Sequence, residues 1–123
     1  MRIRTVLATT AVALAFVPAS AADAEAAACR SADLRYPFEP GGPRTFGVFH
    51  LRITDGSCTT AHRVAKAWMD KFEANLRQGS DNLPRTVRGF RFTSLAPTAA
   101  QTYRLRGVKA KTRINFDYVV PNG

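Results

Sequence analysis

Little in this chain is equipped for chemistry. Among 123 residues there are two cysteines, two histidines and one tryptophan, with nine acidic residues against eighteen basic ones. Neither Gly-x-Ser-x-Gly nor His-Glu-x-x-His occurs, which removes the sequence signatures of the common serine hydrolases and zinc peptidases. Two histidines without a carboxylate cluster do not make a zinc site, and nothing suggests a cofactor. The longest uncharged run of strongly apolar character, Val6 to Val17, is about 12 residues, short of the roughly 20 that cross a bilayer. No repeat is visible, and the only low-complexity tract is a short alanine-rich one.

That apolar run has a definite meaning. It follows Met1-Arg-Ile-Arg-Thr and leads into Pro18-Ala-Ser-Ala, the layout of a secretory signal peptide with a small-residue cleavage site. Residues 1–21 are therefore expected to be removed, although Ala24, Ala26 and Ala28 also end acceptable sites. Arg2 and Arg4 are not adjacent, so the twin-arginine signal is not met. About 102 residues remain, enough for one small domain. Losing Arg2 and Arg4 leaves sixteen basic residues against nine acidic, a net charge of +7. Residues 22–28 read as a disordered leader and 29–123 as a single domain. In an exported protein Cys29 and Cys58 are expected to pair, contributing roughly 3–4 kcal/mol in the chain-entropy model. Ala26-Ala27-Ala28-Cys29 also resembles a lipidation site, but no leucine stands three residues before the cysteine.

Periodicity organises the rest. From Cys58 to Gly79, Ala61, Val64, Ala65, Trp68, Met69, Phe72 and Leu76 recur at steps of three and four, one broad apolar stripe on a helix. Lys66/Asp70 and Glu73/Arg77 stand four apart on its polar side. Ser57, Thr59 and Thr60 are candidate caps, and Gly79 suits the left-handed residue that ends a helix. Trp68 belongs to the buried stripe. Leu34, Tyr36 and Phe38 suggest a short strand before a loop broken by Pro40, Gly41, Gly42 and Pro43. Phe46 to Thr54 alternates as a strand, with Phe49, Leu51 and Ile53 on one face and Val48, His50 and Arg52 on the other. Asp55-Gly56 then turns the chain. Thr86 to Thr93 is a further strand with Phe90 and Phe92 on one face. Thr102 to Arg106 and Lys111 to Val120 form a hairpin around Gly107 to Ala110. In its second arm Ile114, Phe116 and Tyr118 face inward, while Lys111, Arg113, Asn115 and Asp117 face outward. The expected fold is α+β, one amphipathic helix on a small, mostly antiparallel sheet of about four strands, held by one disulfide.

The order of these features resembles a group of small secreted actinobacterial proteins of unknown function. Cys29, then Cys58-x-x-Ala61-x-x-Val64 and Trp68, then Gly89-Phe90 and the Arg106-Gly107 turn carry the likeness. Members often have a second cysteine pair in the C-terminal half, where this chain has Phe92 and Leu105. The resemblance implies a fold but no activity.

Charge supplies the functional lead. Between Asn82 and Phe116 there is no acidic residue but eight basic ones: Arg85, Arg88, Arg91, Arg104, Arg106, Lys109, Lys111 and Arg113. A genome rich in arginine codons would explain the composition alone, so placement decides whether the charge matters. With the three strands adjacent, Arg88, Arg91, Arg104, Arg106, Lys111 and Arg113 are expected to form an anion-binding surface. The leading expectation is a monomeric, non-catalytic module meeting an anionic polymer or acidic protein surface outside the cell. A second is a protein–protein device such as a protease inhibitor, with Glu39-Pro-Gly-Gly-Pro-Arg as binding loop near the disulfide. A third is a small hydrolase using His50 or His62 as general base, against the simpler reading of two solvated surface histidines. Asp70 and Glu73 read as salt-bridge partners.

Overall fold

A computed structural model describes residues 25–96 and 101–121. The expected signal peptide and most of the leader lie outside them. In chain order the elements are β1 (Ala27–Ala28), a 3-10 turn at Ala32–Leu34, β2 (Arg35–Pro37), β3 (Arg44–Thr54), α1 (Cys58–Arg77), β4 (Thr86–Val87), β5 (Phe90–Leu95), β6 (Thr102–Lys109) and β7 (Thr112–Val119). The strands form one antiparallel sheet in the order β1-β3-β7-β6-β5-β4, with β2 sharing β1's edge of β3. The expected helix on an antiparallel sheet is present. The sheet has seven strands, however, not about four. The four long ones alternate visibly, and β2 is the short strand that Leu34, Tyr36 and Phe38 suggest. β1 and β4 span two residues each, too few to show a period.

Helix α1 starts as its caps dictate: the Ser57 hydroxyl accepts from the Thr60 N–H at 3.2 Å. It stops before Gly79, whose φ of +82° suits a residue without Cβ. Its stripe buries Ala61, Val64, Ala65, Trp68 and Phe72 against the sheet, whereas Leu76, near the last turn, stays 43% exposed. Trp68 is the hub. Its ring centroid lies 5.2 Å from Phe72, 5.3 Å from Tyr118, 5.4 Å from Phe116 and 6.4 Å from Phe92. Its indole N–H donates to the Pro84 carbonyl at 3.2 Å, so the one polar atom of the ring is satisfied in the core. Tyr118, fully buried, donates its hydroxyl to the Glu73 carboxylate at 2.6 Å and so ties sheet to helix. Burial, and then that carboxylate, raise the tyrosine's pKa well above its ordinary value. Glu73 is therefore engaged with Tyr118, and the expected Glu73/Arg77 pair is absent among the described ion pairs, while Lys66 donates to Asp70 at 2.9 Å.

Cys29 and Cys58 form a disulfide with Cα atoms 5.3 Å apart, joining the chain beside β1 to the first residue of α1. The same tether explains why Ala27 and Ala28, read from composition as leader, lie along Ile53 and Arg52. The Cys29 N–H donates to the Leu51 carbonyl at 2.8 Å, and the two alanines continue that pairing through backbone groups alone.

Three local expectations change. The run Thr86 to Thr93 is two strands, because Arg88 (φ +49°) and Gly89 (φ +84°) make a tight hairpin turn. The β6–β7 turn is Ala110-Lys111, not Gly107 to Ala110, since Lys109 pairs with Thr112. Gly107 sits inside β6, where a Cβ would lie 2.6 Å from two ring carbons of Phe92. Here glycine marks a close approach and not a bend. In β3 the register to β7 shifts between Phe49 and Arg52, and His50 has φ +56°. This bulge changes the alternation, so Val48, Leu51 and Ile53 share the core face while Phe49 lies half-buried on the other.

Candidate functional site

The sheet's second face is the one α1 does not cover. Residues paired across adjacent antiparallel strands share a face, so the register assigns its occupants in rows. One row runs Arg91, Val108, Arg113 across β5, β6 and β7. The next runs Thr93, Arg106, Asn115, Arg52 across β5, β6, β7 and β3, and a third runs Leu95, Arg104, Asp117, Phe49. Arg91, Arg106, Arg113 and Arg52 therefore make a zigzag of diagonal neighbours, about 7–8 Å per step. That spacing is within a Debye length of about 8 Å at physiological salt, so their potentials add. All four are exposed, and none has a carboxylate partner among the described residues.

Of the six residues singled out from sequence, Arg91, Arg106 and Arg113 occupy this face with free guanidinium groups. Arg104 shares it but donates from Nε to the Asp117 carboxylate at 3.3 Å, so its charge is already matched. Lys111 sits in the hairpin turn at the face's end. Arg88 is carried by the β4–β5 turn into a hollow lined by Thr60, Arg63, Val64, Phe90 and Lys109, on the helix side of the sheet. Arg52 is the member that sequence reasoning left out of the patch. Its strand's alternation marks it as outward, but it lies 30 residues or more before the basic run, and only the β3–β7 pairing brings it beside Arg113.

Asp117 is the one acidic residue in these rows, and it is buried. Its second oxygen meets His50 Nδ1 at 3.0 Å. The bulge in β3 makes this contact: the left-handed backbone at His50 turns the imidazole along the outer face toward β7. His50 is a solvated surface histidine, as expected from sequence, its side chain 74% exposed, and what the sequence did not show is its bond to Asp117. His62, in the first turn of α1, meets Asp33 through Nε2 at 2.7 Å, with both groups partly open to solvent. Phe49 is capped by Arg35, whose guanidinium carbon lies 4.2 Å from the ring centroid and whose Nε donates to the Val48 carbonyl at 2.8 Å. Beside His50 and Asp117 a shallow groove is lined by Arg44, Thr45, Phe49, Thr102 and Val119.

The segment Glu39 to Arg44 forms a tight turn, with the Gly42 N–H donating to the Glu39 carbonyl at 2.9 Å and Gly41 at φ +82°. It opens β3, whereas the disulfide flanks that strand near Leu51, roughly 20–25 Å along an extended chain. The expected anchoring of this loop by the disulfide is therefore not found. Its base is held by the Tyr36, Phe38 and Phe46 rings at 5.9–6.0 Å. Among the described residues no three His, Cys, Asp or Glu side chains are grouped as metal ligands, and no helix is long and apolar enough to cross a membrane. Compared with known proteins, the chain matches no family model, no curated protein and no solved structure.

Proposed function

We propose that the uncovered sheet face binds an anionic polymer outside the cell, through Arg52, Arg91, Arg106 and Arg113. The observation that carries this reading is four exposed guanidinium groups on one face without a carboxylate partner among the described residues. Charges so arranged repel one another in the free protein, and a polyanion relieves that repulsion while releasing its counterions. Arginine adds a planar fork that grips phosphate or carboxylate in two bonds. The compartment belongs to the same proposal. A signal-like N-terminus, a disulfide and the likeness to small secreted actinobacterial proteins all favour export. The surface acts as a unit, so no single arginine dominates.

Retention of a single-stranded DNA oligonucleotide, with heparin as a second polyanion, tests this over a salt series. Replacing the four arginines by Gln should flatten the slope of log K against log salt by about 3, from roughly 0.7 per phosphate contact on single strands. Replacing Arg30, Lys66, Lys71 and Arg77, four exposed cations elsewhere, removes the same charge and should change the slope by less than about 1. Equal losses in the two variants would mean that the charge acts only in bulk.

A further inference from the structure

The bulge at His50 is more than the binding face requires. A non-glycine residue at φ +56° is strained and persists only where its surroundings enforce it. Here the distortion delivers one imidazole to one buried carboxylate. Asp117 side-chain exposure is 10%, and its two oxygens are divided between His50 Nδ1 at 3.0 Å and Arg104 Nε at 3.3 Å. An Nδ1–H···carboxylate bond selects the tautomer whose Nε2 carries the lone pair, on a side chain that is 74% exposed at the border of the arginine rows. Arg52 lies two residues along β3, and Arg106 stands diagonally from Asp117 across β6 and β7. An oriented base, an ion pair that holds it and spare guanidinium groups for an oxyanion therefore share one corner.

We propose that this corner cleaves ribose phosphodiesters, with His50 as general base and Asp117 as the residue that positions it. The inference rests on the anion-binding reading of the adjacent face. Among the described residues His50 Nδ1 is hydrogen-bonded to Asp117 and no side-chain hydroxyl or thiol is bonded to the imidazole, and the reaction assigned to the corner takes its nucleophile from the substrate, a hydroxyl on the carbon next to the phosphate ester. His50 Nε2 removes the proton of the 2′-hydroxyl, and the 2′-oxygen forms a bond to phosphorus. The bond from phosphorus to the 5′-oxygen breaks, and that oxygen takes a proton from solvent water. The imidazolium then returns its proton to the hydroxide left behind. The products are a 2′,3′-cyclic phosphate and a 5′-hydroxyl, and nothing else is consumed. Arg44, which lines the same groove, and Arg52 and Arg106 in the adjoining rows are the charges at hand for the phosphorane oxygens. Val119 and the part of Phe49 not covered by Arg35 line the groove beside His50.

End-labelled RNA incubated with the mature, disulfide-bonded protein supplies the test, with a DNA strand and a 2′-O-methyl RNA of the same sequence as controls. RNA alone should be cut, yielding cyclic-phosphate ends. Asn tolerates the left-handed backbone but offers no imidazole, so His50→Asn should lose about 100-fold or more in kcat with 2′-O-methyl RNA binding unchanged. His50→Gly should recover activity with added imidazole, which a purely structural histidine would not allow. Asp117→Asn should lower kcat and leave KM within about twofold. Tight binding of all three strands with no RNA cleavage overturns this inference and leaves the binding reading standing. Unchanged RNA binding and cleavage in Arg91→Gln/Arg113→Gln, which spares the arginines assigned to the phosphorane, overturns the binding reading alone. Cleavage by His50→Asn at the parent rate assigns the activity to a contaminant and also overturns the inference.

Discussion

Gly107→Ala isolates one packing contact in the core. The added methyl would lie 2.6 Å from Cε2 and Cζ of Phe92 and 3.0 Å from Cε1, where ordinary contact begins near 3.5 Å. Relief requires either ring or strand to move by about 1 Å. Neither moves freely. Phe92 is buried against Trp68 at 6.4 Å and Phe116 at 6.0 Å, and Gly107 is paired on both sides, to Phe92 in β5 and Ile114 in β7. Overpacking of this kind costs roughly 1–3 kcal/mol. Removing a glycine from a strand interior returns about 0.5–1 kcal/mol by restricting the unfolded chain. The expected net loss is therefore about 1–2 kcal/mol, or about 4–15 °C in Tm for a domain of this size. Urea unfolding followed by Trp68 fluorescence measures it directly. In Phe92→Leu the same alanine should be accommodated, so the double-mutant cycle should show a coupling of about 1 kcal/mol or more. A Gly107→Ala protein as stable as its parent, or strict additivity with Phe92→Leu, would refute this reading of the glycine.

Two further outcomes concern the ties between elements. Replacing Cys29 and Cys58 together by Ala should lower stability by roughly 3–4 kcal/mol on the entropy argument, and equal denaturation midpoints with and without the bond would contradict it. Tyr118 is held protonated by burial and by Glu73, so its folded pKa lies above its unfolded one. The stability it adds is complete below about pH 10 and is lost as the pH rises further, at up to about 1.4 kcal/mol per unit, because the unfolded chain then releases a proton that the folded one keeps. Alkaline unfolding should show this slope reduced in Tyr118→Phe, and a Tyr118 tyrosinate signal appearing before unfolding would count against it.

The helix and the inward faces of β5 and β7 follow from local pattern. Steps of three and four from Ala61 to Phe72, and alternation from Ile114 to Tyr118, are properties of neighbouring residues, so the chain itself carries them. The disulfide needed only the pairing of two cysteines in a domain expected to be exported. Other features depend on partners distant in sequence. Gly107 resembles a turn residue until Phe92 lies above it. The face of Phe49 cannot be assigned without the bulge, which shows only as a shift in the pairing of β3 with β7 and which brings His50 to Asp117. Arg52 joins Arg113 only through the β3–β7 register. Asp117 reads as one more outward carboxylate on an alternating strand, and only packing makes it a buried partner of both Arg104 and His50. Periodicity determines which side of a strand a residue faces, but the pairing of strands determines what it faces, because that contact is made by residues dozens of positions away.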